Sequence, residues 1–444
     1  MQVETRRAFR NGCAGAFAPL ALLVLSSLSA GAQSPSDFSG ELSSPFQGIL
    51  ARPSDLNNTL QYAASASADD IESAIGTYEQ LLFYNPTLSR VRFELGVLYF
   101  RLGSYEMAHS YLQSALQMQD ITPDLRARAE DLLDIADKKL QVDQFTGYVQ
   151  TGIAYQTNPG AAAGLSGLGT RFVTGFPVQP DWNWFGAFGL DYVHDFEDQN
   201  GDTFEASAVG YDAQEFRLHQ FDIGVLELRA GPRFAIPTGN PNVSLSIKPY
   251  FIATGGLLAD MPYYGGLGGG LTLHTNVGNV ALDPYAELVQ QSFRNSSFYP
   301  LASGFSGTLS TYGLQASGPV VSSLGFQTRL GFGHANDDFS PFSYDVYAAD
   351  IWLPWNFSFP GDGRVWTLTP TAGVSQWNYA APDPYIDPYT TPRTVEWRVG
   401  LGLEIPLWKH IVLGTLVQYR SDQSNVAAFT MHDLLVSAGP TFKF

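Results

Sequence analysis

Along residues 395–405 the side chains alternate without a break: Val395, Trp397, Val399, Leu401, Leu403 and Ile405 share one parity, and Glu396, Arg398, Gly400, Gly402 and Glu404 the other. Successive side chains of an extended chain point to opposite faces, so this segment is a strand with one apolar face and one face of charge and glycine. The pattern recurs where Trp366, Leu368, Pro370, Ala372 and Val374 alternate with Thr367, Thr369, Thr371, Gly373 and Ser375. It recurs again where Ile411, Leu413, Val417 and Tyr419 alternate with His410, Gly414, Gln418 and Arg420. A soluble sandwich would bury each apolar face against a second sheet. Here such strands continue to the last residue with aromatics near their ends, and lipid is the more economical partner.

Composition points the same way. Charged residues are 15% of the chain and aromatics 14%, with 44 glycines, whereas soluble domains carry about 25% charge. No apolar run after the leader approaches the ~20 residues that a membrane helix needs. All eight tryptophans lie between Trp182 and Trp408, which suits aromatic girdles at two membrane interfaces. In the last strand Leu434, Val436, Ala438, Phe442 and Phe444 share one face, and Pro440, which has no N–H to donate, is its awkward member. An alternating final strand ending in Phe442 and Phe444 resembles the signal read by the barrel-assembly machinery, which makes that machinery and outer-membrane lipid the expected partners.

Residues 1–32 read as a signal peptide: Arg6, Arg7 and Arg10, then an apolar stretch over 14–25, then Ala30-Gly31-Ala32 as a small-x-small cleavage pattern. Thr5-Arg6-Arg7-Ala8-Phe9 also has the look of a twin-arginine signal, but a barrel must cross the inner membrane unfolded, which favours ordinary secretion. Cys13 precedes the apolar run, so it is not placed for lipid attachment, and cleavage leaves no cysteine for disulfides, thiolate catalysis or zinc. Loss of Arg6, Arg7, Arg10 and Glu4 with the leader, a net +2, takes the charge from -18 to -20. So acidic a chain excludes nucleic acid as a partner.

Residues 33–66, rich in Ser, Ala, Pro and Asn, read as a linker. From 67 to 142 the period becomes helical, with Ile71, Ala74, Ile75, Tyr78, Leu81 and Leu82 at steps of three and four until Asn85-Pro86. Leu95, Gly96, Tyr99, Gly103, Tyr105, Ala108 and Ala115 follow at spacings that match the tetratricopeptide repeat. A step of 34 residues links Ala108 to Ala74 and Leu112 to Tyr78. A further helix over 123–141, with Leu125, Ala129, Leu132, Leu133 and Ala136 on one side, caps the stack. The fold class expected is therefore α plus transmembrane β: a short periplasmic tetratricopeptide domain at 67–142, then an antiparallel outer-membrane barrel at 143–444.

With both ends of the barrel facing the periplasm, the strand number is even. Long loops are expected at about 421–430, 380–392, 335–341, 294–305 and 257–264, and short turns near Leu407, Gly361, Val320, Gly278 and Asn240. Joining 216–222 and 225–234 into one bulged strand gives fourteen strands and keeps the acidic segment around Asp198 off the periplasmic side; sixteen is the alternative.

A signal, two tetratricopeptide units, a short linker and a barrel of about 300 residues resemble the surface lipoprotein assembly modifier family. The resemblance covers residues 68–444 in layout. It is most specific around Leu95 to Ala115, in the helix of Leu132 and Leu140 that leads into Phe145, and at Tyr155-Gln156-Thr157-Asn158. It implies a fourteen-stranded barrel that helps move lipoproteins to the cell surface, with a periplasmic protein client. Exporters of cellulose, alginate and poly-N-acetylglucosamine also join helical repeats to a barrel, and a passive or structural porin is the reading of another class. An acidic polysaccharide would call for a strongly basic lumen. The inward faces instead mix Arg329, Arg398, Arg420 and Lys443 with Asp283, Glu287, Glu396, Glu404 and Asp433, a pattern of internal salt bridges bracing the wall.

The chemistry of enzymes is not visible. The seven histidines are scattered, with no HExxH, no GxSxG and no phosphate loop, and His194 beside Asp195 reads as a polar loop entrance. Asp198, Asn200 and Asp202 place oxygens at alternate positions as a calcium loop would, without its closing glutamate. Asp383, Tyr385, Asp387 and Tyr389 sit in a proline-stiffened loop. No cofactor, metal or catalytic residue is expected. Tyr84, Tyr99, Arg101 and Tyr105 are the candidate client-docking residues of the helical repeats, and Arg329, Glu396, Arg398, Glu404 and Arg420 the candidate lumen lining.

Overall fold

The computed structural model describes residues 71–160, 178–198, 201–239, 243–359, 361 and 363–444. The leader, Cys13, the cleavage pattern and the 33–66 linker lie outside them. The described residues fall into two compact units, one ending at Gln144 and one beginning at Phe145.

The first unit holds helices α1 (Ile71–Tyr84), α2 (Ser89–Leu102), α3 (Tyr105–Leu116) and α4 (Pro123–Leu140). α1 stops just before Asn85-Pro86, where the helical conformation is disfavoured. α2 ends on Gly103, whose φ of 80° lets its N–H turn back to the Phe100 carbonyl. α4 starts on Thr122, which accepts the Leu125 N–H, with Pro123 in the first turn. Ala74 and Tyr78 of α1 pack with Val91, Leu95 and Leu98 of α2, while Phe93, Leu112, Ala115, Ile121 and Ala129 join α2, α3 and α4. A Cβ on Gly96 would lie 2.6 Å from Leu112 Cγ, so α2 and α3 are this close only because position 96 has no side chain.

The second unit is one sheet of strands β1 (Asp143–Gln156), β2 (Asp181–Asp195), β3 (Thr203–Glu215), β4 (Ile223–Ile236), β5 (Val243–Leu258), β6 (Met261–Val277), β7 (Val280–Phe293), β8 (Gly307–Val321), β9 (Leu324–Asp337), β10 (Tyr344–Trp352), β11 (Trp355–Phe357), β12 (Trp366–Tyr379), β13 (Arg393–Trp408), β14 (Ile411–Ser424) and β15 (Met431–Lys443). Each pairs antiparallel with its neighbour, and β1 pairs with β15 from Tyr148↔Lys443 to Gln156↔Leu435, so the sheet closes on itself. Both β10 and β11 lie between β9 and β12. They are one stave broken at Leu353-Pro354, and the barrel has fourteen staves.

Fourteen is right, but two features that led to it need correction. Residues 216–222 do not join the following strand: β3 ends at Glu215, a 3-10 turn spans His219–Phe221, and β4 begins at Ile223. The apolar residues Leu218 and Phe221 of this segment belong to a tight turn that buries Phe221. The Asp198 segment, in consequence, lies at the end of the barrel where β1 starts and β15 finishes, here called the terminal end. The long loop expected at 257–264 is a two-residue hairpin instead. Ala259 and Asp260 have φ of 53° and 58°, the pair of left-handed conformations that a tight hairpin requires and that neither residue type advertises.

Polarity follows parity around the wall. On β13 and β14 Trp397, Val399, Leu401, Val417 and Tyr419 face outward and exposed, while Glu396, Glu404, Arg420 and Asp422 are buried on the inside. An apolar exterior around a polar interior is the arrangement of a membrane barrel, because every backbone polar group of a closed sheet is paired within it. Pro440 faces outward with Phe442 and still opposes Leu413 of β14. Towards β1 the ladder lapses opposite Pro440 and Gly439 and resumes in the same register.

Candidate functional site

The inner wall is built from tyrosines laid over glycines and from arginines shared between acids. Tyr250 on β5 lies opposite Gly270 on β6, which lies opposite Glu287 on β7. With no side chain at 270, the Tyr250 hydroxyl reaches across the strand and donates to Glu287 Oε1 at 2.7 Å, where Arg229 of β4 also binds at 2.5 Å. A Cβ on Gly270 would sit 2.6 Å from Tyr250 Cζ. Tyr148 over Gly189 and Tyr285 over Gly313 repeat the device. The glycine on the inward parity of the sequence is thus room for a neighbour's ring.

On the other side of the barrel the ions form a continuous chain. Arg329 of β9 binds Asp350 of β10 at 2.9 Å, and Asp350 binds Arg398 of β13 at 2.7 Å across Gly373 of β12. Arg398 binds Glu396, Glu396 binds Arg420 of β14 at 3.2 Å, and Arg420 binds Asp422 at 2.9 Å. Four of the sequence-selected lumen residues, Arg329, Glu396, Arg398 and Arg420, therefore meet in one network, and Asp350 and Asp422 complete it. Glu404 is apart from it and binds Lys443 of β15 at 2.9 Å. His274 faces Asp283 at 2.8 Å.

At the end opposite the termini, four loops share a construction that the sequence reading missed. Each carries a one-turn 3-10 helix ending in a buried phenylalanine: Phe221, Phe305, Phe342 and Phe429. The next residue turns its side-chain oxygen to a backbone N–H at the end of the preceding strand. Asp222 accepts from Glu215, Ser306 from Phe293, Ser343 from Asp337 and Thr430 from Ser424. The signal is legible as an apolar residue, two others, Phe, then Asp, Ser or Thr: Leu218 to Asp222, Phe339 to Ser343 and Val426 to Thr430, with one extra residue in the Leu301 to Ser306 loop. Aromatic rings then meet from loop to loop. Tyr263, Phe293, Tyr299, Phe305, Phe342, Phe339 and Tyr385 form a connected series, and the Tyr299 hydroxyl donates to the Gln220 carbonyl. Burial raises the Tyr299 hydroxyl well above the usual tyrosine range.

Two of the docking candidates, Tyr99 and Tyr105, pack against the same cluster of Phe100, Ala108 and Ala136. Tyr99 stacks on Tyr111 of α3 with ring centroids 5.4 Å apart, and its hydroxyl donates to Glu79 of α1 at 2.7 Å. Burial, then that carboxylate, pushes the Tyr99 hydroxyl up to about 12. Tyr105 packs its ring edge on Phe100 in the cluster with Ala108 and Ala136. Tyr84 is exposed at the end of α1 beside the still more exposed Phe83, and Arg101 is half-buried in the last turn of α2. Glu79 and Tyr111, which the sequence did not single out, are what Tyr99 meets.

The other singled-out residues have local roles. Asp198 Oδ1 accepts the N–H groups of Gly201 and Asp202, and Asp202 accepts that of Ala235; residues 199 and 200 lie outside the described set. Asp383 and Asp387 each accept the N–H two residues on, from Tyr385 and Tyr389. The Tyr389 N–H holds the Asp387 carboxyl below the usual range. His194 rests against the Phe196 ring. Phe442 and Phe444 stack on the outer face, and Phe444 exchanges both backbone bonds with Gly147 at 3.1 Å.

No family profile and no curated protein matches the sequence. Among solved structures, an anion-selective porin from Comamonas acidovorans is similar over 68% of this chain and 99% of its own, with 12% identity and a TM-score of 0.34. The outer membrane protein opdK from Pseudomonas aeruginosa covers 68% of this chain and 98% of its own, with 9% identity and a TM-score of 0.33. CdiB from Escherichia coli covers 68% of this chain and 63% of its own, with 10% identity and a TM-score of 0.36.

Proposed function

We propose that this chain is an outer-membrane export barrel whose helical unit, a short tetratricopeptide array on the periplasmic side, docks a protein client that the barrel passes to the cell surface, with lipoproteins as the client class. The observation that carries this reading is a self-cored helical unit, α1 to α4, fused ahead of a closed fourteen-stave barrel. Stacked helices commonly present a surface to an extended peptide, which conduction of small solutes does not require. The neutral pairing of the lumen ions supports it further, since a route for an acidic polysaccharide would leave cations unmatched. On this reading the terminal end faces the periplasm, and Phe442 and Phe444 lie where the assembly machinery engages the closing strand.

The test compares the surface proteome of intact cells that carry the full chain, lack it, or make only the barrel from Phe145 with its own leader. Loss of a defined lipoprotein from the surface in both altered strains, at unchanged total amount, is the outcome this function requires. An unchanged surface proteome would refute it.

A further inference from the structure

At the end of the barrel opposite the termini, the inward faces of β1, β2, β3 and β15 and the turn before β4 crowd acceptors together. Asp181, Asn183, Glu215, Asp222 and Asp433 are exposed by 2%, 0%, 4%, 1% and 6%. Three of the carboxylates are engaged. Asp181 accepts the N–H groups of Trp182, Arg217 and Leu218 and the Arg217 guanidinium. Asp222 accepts the Glu215 N–H and faces His219 Nδ1 at 3.1 Å. Asp433 accepts from the Asn158 N–H and the Thr157 hydroxyl.

Glu215 differs. Its Oε1 accepts Asn183 Nδ2 at 3.0 Å, but Oε2 has no hydrogen-bond partner among the described residues, and neither has Asn183 Oδ1. The two residues are register partners on β2 and β3, so the bond holds side by side the two side chains that carry the open oxygens. Gln156 Oε1, on the inward face of the adjoining β1, is a third buried acceptor without a partner. Leaving buried acceptors unmatched costs their full desolvation, and three acceptors cannot satisfy one another. Asp181, Asp222 and Asp433 are close enough to act on the Glu215 charge. The basic groups beside them are the largely exposed Arg217 and His219 and, next to Asp433, the buried Arg420, whose charge is shared with Glu396 and Asp422.

We propose that this patch binds a divalent, oxygen-preferring cation of the calcium class, with Glu215 Oε2 and Asn183 Oδ1 as ligands and Gln156 Oε1 as a third from β1. Such cations take carboxylate and amide oxygens together and fill their remaining positions with water. No three carboxylates or imidazoles converge as a metal cage among the described residues, so the ligand charge is that of one carboxylate. That places the affinity in the weak class, on the order of 10⁻⁴ to 10⁻³ M. Bound there, the ion ties β1, β2 and β3 together beside the β1–β15 seam, where the barrel closes, and stiffens the mouth.

The experiment uses the full chain in detergent, stripped with EDTA, and follows barrel unfolding by its heat-shifted gel mobility while CaCl2 is titrated through the millimolar range. The wild type shows a saturable rise in Tm. Glu215→Gln, which keeps the shape and removes the charge, shows none. Asn183→Asp, which adds a second carboxylate, half-saturates at roughly tenfold lower calcium. A wild type indifferent to calcium, or a Glu215→Gln protein that responds as the wild type does, overturns the proposal.

Discussion

Replacing Glu396 by glutamine separates a braced wall from a set of solvated side chains. Glu396 is fully buried between Arg398 and Arg420, whose side chains are 11% and 9% exposed. The variant keeps the volume and removes one of three negative charges, Asp350, Glu396 and Asp422, that balance Arg329, Arg398 and Arg420. Breaking a buried pair outright costs about 3–5 kcal/mol. Neither arginine is orphaned here, because Arg398 keeps Asp350 at 2.7 Å and Arg420 keeps Asp422 at 2.9 Å. Two charge-assisted contacts are lost and one buried carboxylate no longer needs desolvating, so the net cost is about 2–3 kcal/mol. Urea unfolding of the barrel reconstituted in vesicles measures it, and the cycle with Arg398→Gln measures the coupling. A cost under about 0.5 kcal/mol, or strict additivity, is what independent solvated side chains would give, and it would refute the lattice.

Gly270→Ala should destabilise the barrel by about 1–3 kcal/mol, since its Cβ collides with a Tyr250 ring anchored on Glu287, and adding Tyr250→Ala should recover much of it in the same assay. Ser343→Ala should free the Asp337 N–H and cost about 1 kcal/mol, while Phe342→Ala should cost about 3–5 kcal/mol and raise proteolysis of the far-end loops in intact cells. Burial raises the Glu94 carboxyl in α2 above its ordinary value of 4.5. The folded state then holds its proton more tightly than the unfolded one, so stability falls as pH climbs from 4.5 through the folded value. Glu94→Gln should remove that fall, read as loss of the helical circular-dichroism signal before the barrel melts.

How much of this was legible in the sequence depends on which residues carried a period. Strands such as β13 were visible because lipid outside and charge inside enforce alternation at every step. The stave made of β10 and β11 was harder, because Leu353-Pro354 interrupts its ladder. The 3-10 turn at Phe221 imitated a strand by placing apolar residues at similar intervals. The Ala259-Asp260 hairpin was invisible, since left-handed φ at Ala and Asp is imposed by the strands on either side. Arg329, Glu396, Arg398 and Arg420 could be chosen by parity alone, whereas their partners Asp350 and Asp422 required the register that brings β9, β10, β13 and β14 alongside. Docking residues in the helices were the least legible. Tyr99 and Tyr105 serve packing as well as exposure, and sequence spacing does not divide the two roles.

The pairing of the lumen ions also fixes how the barrel should answer to salt. The links from Arg329 to Asp422 have side-chain exposures between 0% and 18%. Raising ionic strength from about 0.1 M to about 1 M shortens the screening length from roughly 10 Å to 3 Å, which abolishes attraction between exposed charges but reaches buried contacts weakly. Those contacts span 2.7 to 3.2 Å in the pairs Asp350–Arg398 and Glu396–Arg420, within even the shorter length. The barrel's Tm should therefore change by no more than a few degrees over that range, while any client contact made through exposed charges on the helices weakens strongly. A fall of more than about 10 °C, several kcal/mol for a unit of this size, would mean that salt enters the lumen and bathes these pairs. The wall would then be a hydrated, charge-lined channel, and the case for guided export over a simple pore would have to rest on the helical unit alone.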